Sequence, residues 1–440
     1  MILVSTRAFA EPPPPAWILP EKRMRDADTK PEGSFFSGLP LIGYDPTVGV
    51  GLGAGGYYTI NGRRDEPLFA YEPYRHRVFL QAFVTTGGYQ QHVLSYDGVY
   101  LNGTPLRVRA SLAFERNVNA NYFGVGEASL DALSFQGRTH DTYGEQLDDA
   151  AALRPGGIAS PDYNRYEFNV PQGSFGLERL FWGGRLRVYY GAIVQYVAVA
   201  RSDGKPTTGI DAAGNSVDAI HGPTKLGEDC ARGAVVGCGG GWNDMLKGSV
   251  ALDTRDFEPD PRSGVYAYAV GEWAAKGFGS SFDYLRLTLG ARFYWSPFPK
   301  LADVRLALRF VYSMQSAGVP FYAMNTLATP DDDQNGLGGA RTMRGYRQDR
   351  FIGPVSALAN AEVRWTFVHF HVGSQLFALQ VAPFFDVGRV FDRVDFAFTR
   401  WKPSGGGGLR VAWNHSSIIA FDVGASAEDI GFFVNFGMPY

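Results

Sequence analysis

From Ser34 onward the chain repeats one theme: ten or more residues of alternating apolar and polar character, closed by a turn signal. Side chains that alternate faces at every residue mark strands whose two sides see different surroundings. The predicted strands are 34–43, 48–60, 74–86, 90–102, 105–116, 166–182, 185–200, 244–255, 263–274, 282–296, 301–315, 353–368, 375–391, 404–413, 416–425 and 430–440, sixteen in all. The last is the sharpest. Phe432, Val434, Phe436, Met438 and Tyr440 share one parity, opposite Phe433, Asn435, Gly437 and Pro439. No stretch of about 18 uncharged apolar residues accompanies these strands, so no transmembrane helix is present. The longest candidate, 189–200, has twelve residues and contains Gln195. Two architectures remain, a large soluble β protein or a membrane β-barrel.

Composition and loop lengths separate them. Charged residues are 19% of the chain, aromatics 14%, and Gly supplies 55 of 440 residues, a balance suited to a surface that is not entirely in water. Lys plus Arg is 41 against 44 Asp plus Glu, and a net charge of −3 excludes a polybasic nucleic-acid binder. Alternate connections sort by length. One set holds the tight turns at 102–104, 183–184, 297–300 and 414–415; the other holds 117–165, 201–243 and 316–352. The thirteen residues of 61–73 depart from this rule. Short periplasmic turns opposite long external loops are the asymmetry of an outer-membrane barrel, whereas a sandwich or propeller has no reason to sort loops by parity. The expected fold is therefore all-β, a sixteen-stranded antiparallel transmembrane β-barrel over 34–440, in the bacterial outer membrane with lipopolysaccharide and phospholipid around it. Residues 1–10 read as a truncated signal-peptide remnant ending Ala8-Phe9-Ala10. Residues 11–33, rich in Pro and charge, read as a periplasmic tether without a core. The terminal strand is expected to close the wall with Tyr440 in the interfacial aromatic girdle.

Three segments go beyond barrel grammar. Residues 338–347 read Gly-Gly-Ala-Arg-Thr-Met-Arg-Gly-Tyr-Arg inside the long loop after the eleventh strand. Residues 384–391 read Phe-Phe-Asp-Val-Gly-Arg-Val-Phe on the thirteenth, and 252–264 read Leu-Asp-Thr-Arg-Asp-Phe-Glu-Pro-Asp-Pro-Arg-Ser-Gly at a periplasmic turn. Together, and in their order along the chain, they resemble the BamA/TamA superfamily, the bacterial surface antigen barrels. Arg344-Gly345-Tyr346 resembles that family's loop motif, and Phe384, Asp386 and Gly388 its strand partner. The resemblance covers about 34–440, with its specificity concentrated after 244. It implies assembly, insertion or translocation of other proteins at the outer membrane, with unfolded outer-membrane or secreted proteins as partners. Relatives usually carry substrate-collecting domains before the barrel; 11–33 is too short for one, so this reads as a compact form. The terminal strand also has Asn435 where the family's assembly signal places Gly.

The pair has a physical reading of its own. A long external loop needs an anchor, and Gly345 lets the backbone approach a wall. Asn360, Glu362 and Arg364 alternate with Ala361, Val363 and Trp365, and Asp386 shares a face with Phe384 and Gly388, so the polar faces should line the lumen. Arg344, folded inward, would meet Asp386 and Glu362 in forked, charge-assisted hydrogen bonds. The blander account makes Arg344 a solvated loop arginine and the carboxylates ordinary lumen charges.

Other signals are weaker. Gly51-Leu52-Gly53-Ala54-Gly55-Gly56 precedes no helix, so small residues crowding a strand explain it better than a nucleotide loop. Asn121-Tyr122-Phe123-Gly124-Val125-Gly126, which also resembles a segment of compact superfamily members, reads as an aromatic anchor at the outer interface. Cys230 and Cys238, the only cysteines, close a short loop and most simply form a disulfide; a metal site has only His221 nearby. His415 with Ser416 or Ser417 sits at a tight turn and makes a poor catalytic pair, so neither catalysis nor a cofactor is expected. The rival function is a passive, porin-like channel, since sixteen-stranded porins also fold a loop inward.

Overall fold

The computed structural model describes residues 12–24, 27–256, 258, 261–331, 333–372, 375–413, 417–438 and 440. The signal-peptide reading of 1–10 and the His415 and Ser416 pairing lie outside them. Sixteen antiparallel strands form the wall: β1 (Ser34–Asp45), β2 (Gly49–Ile60), β3 (His76–Thr85), β4 (Gln90–Gly98), β5 (Leu106–Asn121), β6 (Arg165–Phe181), β7 (Leu186–Ala200), β8 (Met245–Asp253), β9 (Gly264–Ala274), β10 (Tyr284–Trp295), β11 (Asp303–Gln315), β12 (Val355–Val372), β13 (Gln375–Phe391), β14 (Lys402–Trp413), β15 (Ser417–Ala425) and β16 (Ile430–Phe436). Each pairs with its neighbours in sequence, and β1 meets β16 to close the barrel. Every wall strand thus has a neighbour on both sides, the arrangement a sheet needs in lipid, although β1 and β16 share a single ladder pair among the described residues.

Alternation sorts the two faces. Along β8, Lys247, Ser249, Ala251 and Asp253 are buried toward the lumen, while Leu246, Val250 and Leu252 face outward. Lumen-facing Arg286, Arg305, Arg309, Glu362, Arg364, Asp386, Arg410 and Asp422 are all buried, so the interior is charged and filled. The glycine run of β2 packs as expected. A Cβ at Gly51 would stand 2.1 Å from the Phe83 ring, and one at Gly53 2.3 Å from the Ala82 carbonyl.

The long external loops are folded rather than loose. Residues 206–210 and 216–221 pair as a hairpin that adds 158–159 in parallel, and two short helices, α1 (Tyr143–Ala151) and α2 (Lys225–Ala231), flank it. Thr142 and Glu145 form a capping box at the start of α1. Sequence reading missed these elements because each is shorter than the periodicity that would reveal it. Tyr122 and Phe123 are corrected by the structure. Tyr122 is fully buried, its hydroxyl donates to Asp229 Oδ2 at 2.8 Å, and its ring meets Phe321 edge-on; Phe123 packs on Tyr143. They form the core of the external cap and not a lipid-facing anchor. Cys230 and Cys238 are joined in a disulfide in the same cap, with Cα atoms 5.9 Å apart. His221 is buried there, its Nε2 accepting from the Asp162 amide.

The other end also differs from expectation. Residues 12–24 and 27–33 do not hang free, because Ile18 and Ala27 are buried in a cluster with Leu68, Ala70 and Tyr71 of the 61–75 connection. Trp17 Nε1 donates to the Gly103 carbonyl, Lys22 Nζ to the Asp253 carbonyl, and Lys30 Nζ to the Phe69 and Glu72 carbonyls. The unusual length of the 61–73 connection is thereby explained: it is half of a small periplasmic core. The proline-rich composition hid this, since only a few apolar residues of the strap carry the packing.

Candidate functional site

The loop between β11 and β12 enters the lumen and carries Arg344 to its wall. Arg344 is 1% exposed, and Asp386 and Glu362 are fully buried with it. Its Nε and Nη2 donate to Asp386 Oδ2 and Oδ1 at 2.9 and 3.0 Å, its amide to Oδ2 at 3.1 Å, and its Nη1 to Glu362 Oε2 at 2.9 Å. The guanidinium lies over the Phe384 ring, 3.3 Å from its centroid, which favours the cation further. Asn360 fixes the carboxylate by donating to Asp386 Oδ1 and ties the loop down by donating to the Thr342 carbonyl. The six residues read from sequence, Arg344, Gly345, Tyr346, Glu362, Asp386 and Gly388, are thus brought together. Gly345 has φ 105 and would place a Cβ 2.6 Å from the Ala425 carbonyl carbon, and Tyr346 donates to the Pro403 carbonyl.

Several members were missed. Arg364 donates to Glu362 Oε1 at 2.7 Å, Arg410 to Asp422 Oδ1 at 2.8 Å, and Asp422 stands 3.6 Å from Arg344. Three guanidiniums therefore face three carboxylates, a neutral cluster in a dehydrated space. A sequence signal existed for Asp422. Phe-Asp-Val-Gly occurs twice, at 385–388 and at 421–424. The two copies differ in their Asp and agree in their Gly. Asp386 accepts directly from Arg344, whereas Asp422 accepts from Arg410 and lies 3.6 Å from Arg344; two residues on, each Gly makes room for the loop: a Cβ would meet Met343 Sδ at 2.5 Å from Gly388 and Arg344 C at 2.6 Å from Gly424.

A second anchor holds the far side of the same loop. Asp331 accepts from Arg187, Arg109 and Tyr266, and Asp333 from Lys247. The loop therefore crosses the lumen, fixed to β12, β13 and β15 at one wall and to β5, β7, β8 and β9 at the other.

The β1–β16 seam is short. Tyr44 opposite Val434 is the one ladder pair across it among the described residues. Pro40 lies within β1, where the missing N–H suits an edge. The chain turns inward at Gly437 (φ 84), and Tyr440 enters the lumen against Tyr294 and Ala307, with Arg364 donating to its carbonyl at 2.9 Å. The girdle position expected for Tyr440 is corrected accordingly. An arginine-lined pocket outcompetes the interface for this ring, with Arg309 4.7 Å from its centroid.

A model of the Omp85 superfamily domain matches residues 84–426, and a model of a domain of unknown function, DUF5982, matches 14–75. The second match spans the strap, β1, β2 and the connection that the strap packs against. Among solved structures the chain is similar to BamA from Haemophilus ducreyi lacking POTRA domains 1-3, with TM-score 0.53 and 12% identity over 93% of this chain and 70% of that one. It is also similar to CdiB from Escherichia coli, with TM-score 0.52 and 11% identity over 92% of this chain and 63% of that one, so it spans less than two thirds of CdiB. No curated protein matches. At these identities the structural likeness is one of fold.

Proposed function

The chain belongs to the Omp85 superfamily of the bacterial outer membrane, and from that premise we propose that it inserts or translocates other proteins there without enzymatic chemistry. The observation that carries the reading is the seam. Among the described residues one ladder pair joins β1 to β16, and the inward turn at Gly437 leaves the edge from Ser34 to Leu41 without a partner strand from β16. An unpaired edge templates an incoming strand, because its N–H and C=O groups have no other partner in lipid. The client is thus an unfolded chain able to present a β-strand. A passive channel finds less support, since a loop anchored to both walls crosses the lumen. The test is a disulfide across the seam. Tyr44→Cys with Val434→Cys should block assembly of an outer-membrane client in proteoliposomes, and reductant should restore it. Undiminished assembly by the oxidised barrel would remove this reading.

A further inference from the structure

The second anchor has the geometry of a binding site occupied by the protein's own chain. Arg187 lies 2.8 Å from Asp331 and 3.0 Å from the nearest wall carboxylate, Glu178. Arg109 lies 3.0 Å from Asp331 and 3.6 Å from Glu178. Lys247 lies 2.5 Å from Asp333 and 3.7 Å from Glu272, and Glu272 is itself held by Arg286. For each of these cations the closest ion contact is to the loop. Tyr266 adds a hydroxyl 3.1 Å from Asp331 Oδ2, and Arg292, whose Nε is buried without a hydrogen-bond partner, lies 5.7 Å from the Tyr266 ring centroid. With the loop in place Arg187 and Lys247 are 5% and 6% exposed, and its withdrawal would leave Arg187 facing the lumen with Glu178, Asp253 and Glu258, and Lys247 with Glu272, all at longer distances than the loop carboxylates. Such a wall favours a replacement anion.

We propose that this strip of β5, β7, β8 and β9 binds an acidic polypeptide segment, and that Asp331 and Asp333 occupy it as a built-in mimic. The two carboxylates stand two residues apart in sequence, so the preferred ligand is a segment with Asp or Glu at alternate positions. The inference rests on the proposed handling of polypeptides, for which the strip supplies a luminal docking track once the loop moves aside.

The test uses the full chain in planar bilayers, with a synthetic peptide carrying Glu at alternate positions and its Gln counterpart as probes. Asp331→Asn with Asp333→Asn empties the strip of its mimic. The Glu peptide should block current through this variant at a concentration roughly 10-fold below that needed for the wild type, and 1 M salt should weaken the block. The Gln peptide should not block at either concentration. Equal block by both peptides, or equal sensitivity of wild type and variant, overturns the proposal. If the double variant fails to assemble, Asp333→Asn alone, which keeps the Asp331 contacts, carries the same comparison. The seam crosslink reads the assembly function separately. A barrel that assembles clients yet ignores the peptide sinks this inference alone, and one that binds the peptide yet assembles with a locked seam sinks only the other.

Discussion

Arg344→Ala and Asp386→Ala should each loosen the lumen-crossing loop, and the double substitution should do little more than either. The reason is charge balance in a closed space. Arg344, Arg364 and Arg410 face Asp386, Glu362 and Asp422, all of them 1% exposed or less. Removing Arg344 leaves one carboxylate in excess, and removing Asp386 leaves one guanidinium in excess. Breaking a buried pair from one side costs about 3–5 kcal/mol. Asp386→Ala belongs at the lower end, about 3 kcal/mol, because Arg344 keeps Glu362 at 2.9 Å and Asp422 at 3.6 Å. Arg344→Ala belongs higher, since Asp386 keeps only neutral donors in the cluster, Asn360 and the backbone amide of residue 344. The double variant restores neutrality, so a coupling energy of at least about 2 kcal/mol is expected. Urea titration of all four proteins in lipid vesicles measures the cycle, and external protease reports exposure of 316–354. Single effects that add to within about 0.5 kcal/mol, or cleavage of the wild-type loop, would refute the reasoning.

Gly424→Ala should loosen the loop more than Gly388→Ala. The first new methyl meets the Arg344 backbone at 2.6 Å, which cannot step aside, while the second meets the flexible Met343 thioether at 2.5 Å; the same protease assay ranks them, with a cost for the first of roughly 1–3 kcal/mol. Replacing both Cys230 and Cys238 by Ser should cost the external cap roughly 2.5 kcal/mol, from the loop closed over a separation of 8 residues, and leave the heat-modifiable mobility of the barrel unchanged. Glu72, buried at the periplasmic strap with neither carboxylate oxygen hydrogen-bonded, has its carboxyl pushed up to about 7 by burial, against an ordinary 4.5. Between those values the unfolded chain releases the proton first, so strap stability should fall as pH rises from 4.5 to 7 and stay low above it. Glu72→Gln should flatten this profile, read by protease sensitivity at residues 12–24.

The wall was legible because lipid imposes it. Every strand from β1 to β16 must alternate, and the boundaries of β13, read as 375–391, coincide with those observed. The lock was legible for a different reason: Arg344, Gly345 and the first Phe-Asp-Val-Gly form a local pattern. What escaped depends on contacts between distant residues of ordinary type. Asp331 and Asp333 lie in an acidic run that carries no local motif, and only the approach of β5, β7 and β8 turns it into an anchor. Tyr440 shows the same limit. Parity places its ring outward, but the turn at Gly437 interrupts the parity before Tyr440 is reached.

The lock and the seam share a residue. Glu362 gives Oε2 to Arg344 and Oε1 to Arg364, and Arg364 in turn donates to the Tyr440 carbonyl and lies 5.4 Å from its ring centroid. The segment that would extend the β16 ladder along β1 is thus held inside by an arginine whose counter-ion also binds the loop. When Arg344 leaves, Glu362 keeps only Arg410 at 3.4 Å on its Oε2 side and can turn toward either remaining arginine. Arg364 then loses the fixed partner that aims it at Tyr440, so loop exit and release of the terminal segment carry a coupling free energy. Extending the observed register of Tyr44 with Val434 sets Ile42 opposite Phe436. Ile42→Cys with Phe436→Cys should therefore crosslink slowly in the otherwise unchanged barrel and several-fold faster with Arg364→Gln added, since that change removes the donor to Tyr440 directly. Arg344→Ala should accelerate the same crosslink through Glu362. If Arg364→Gln accelerates it and Arg344→Ala does not, the loop and the seam are independent devices. If neither does, the ladder is short for reasons other than the capture of Tyr440.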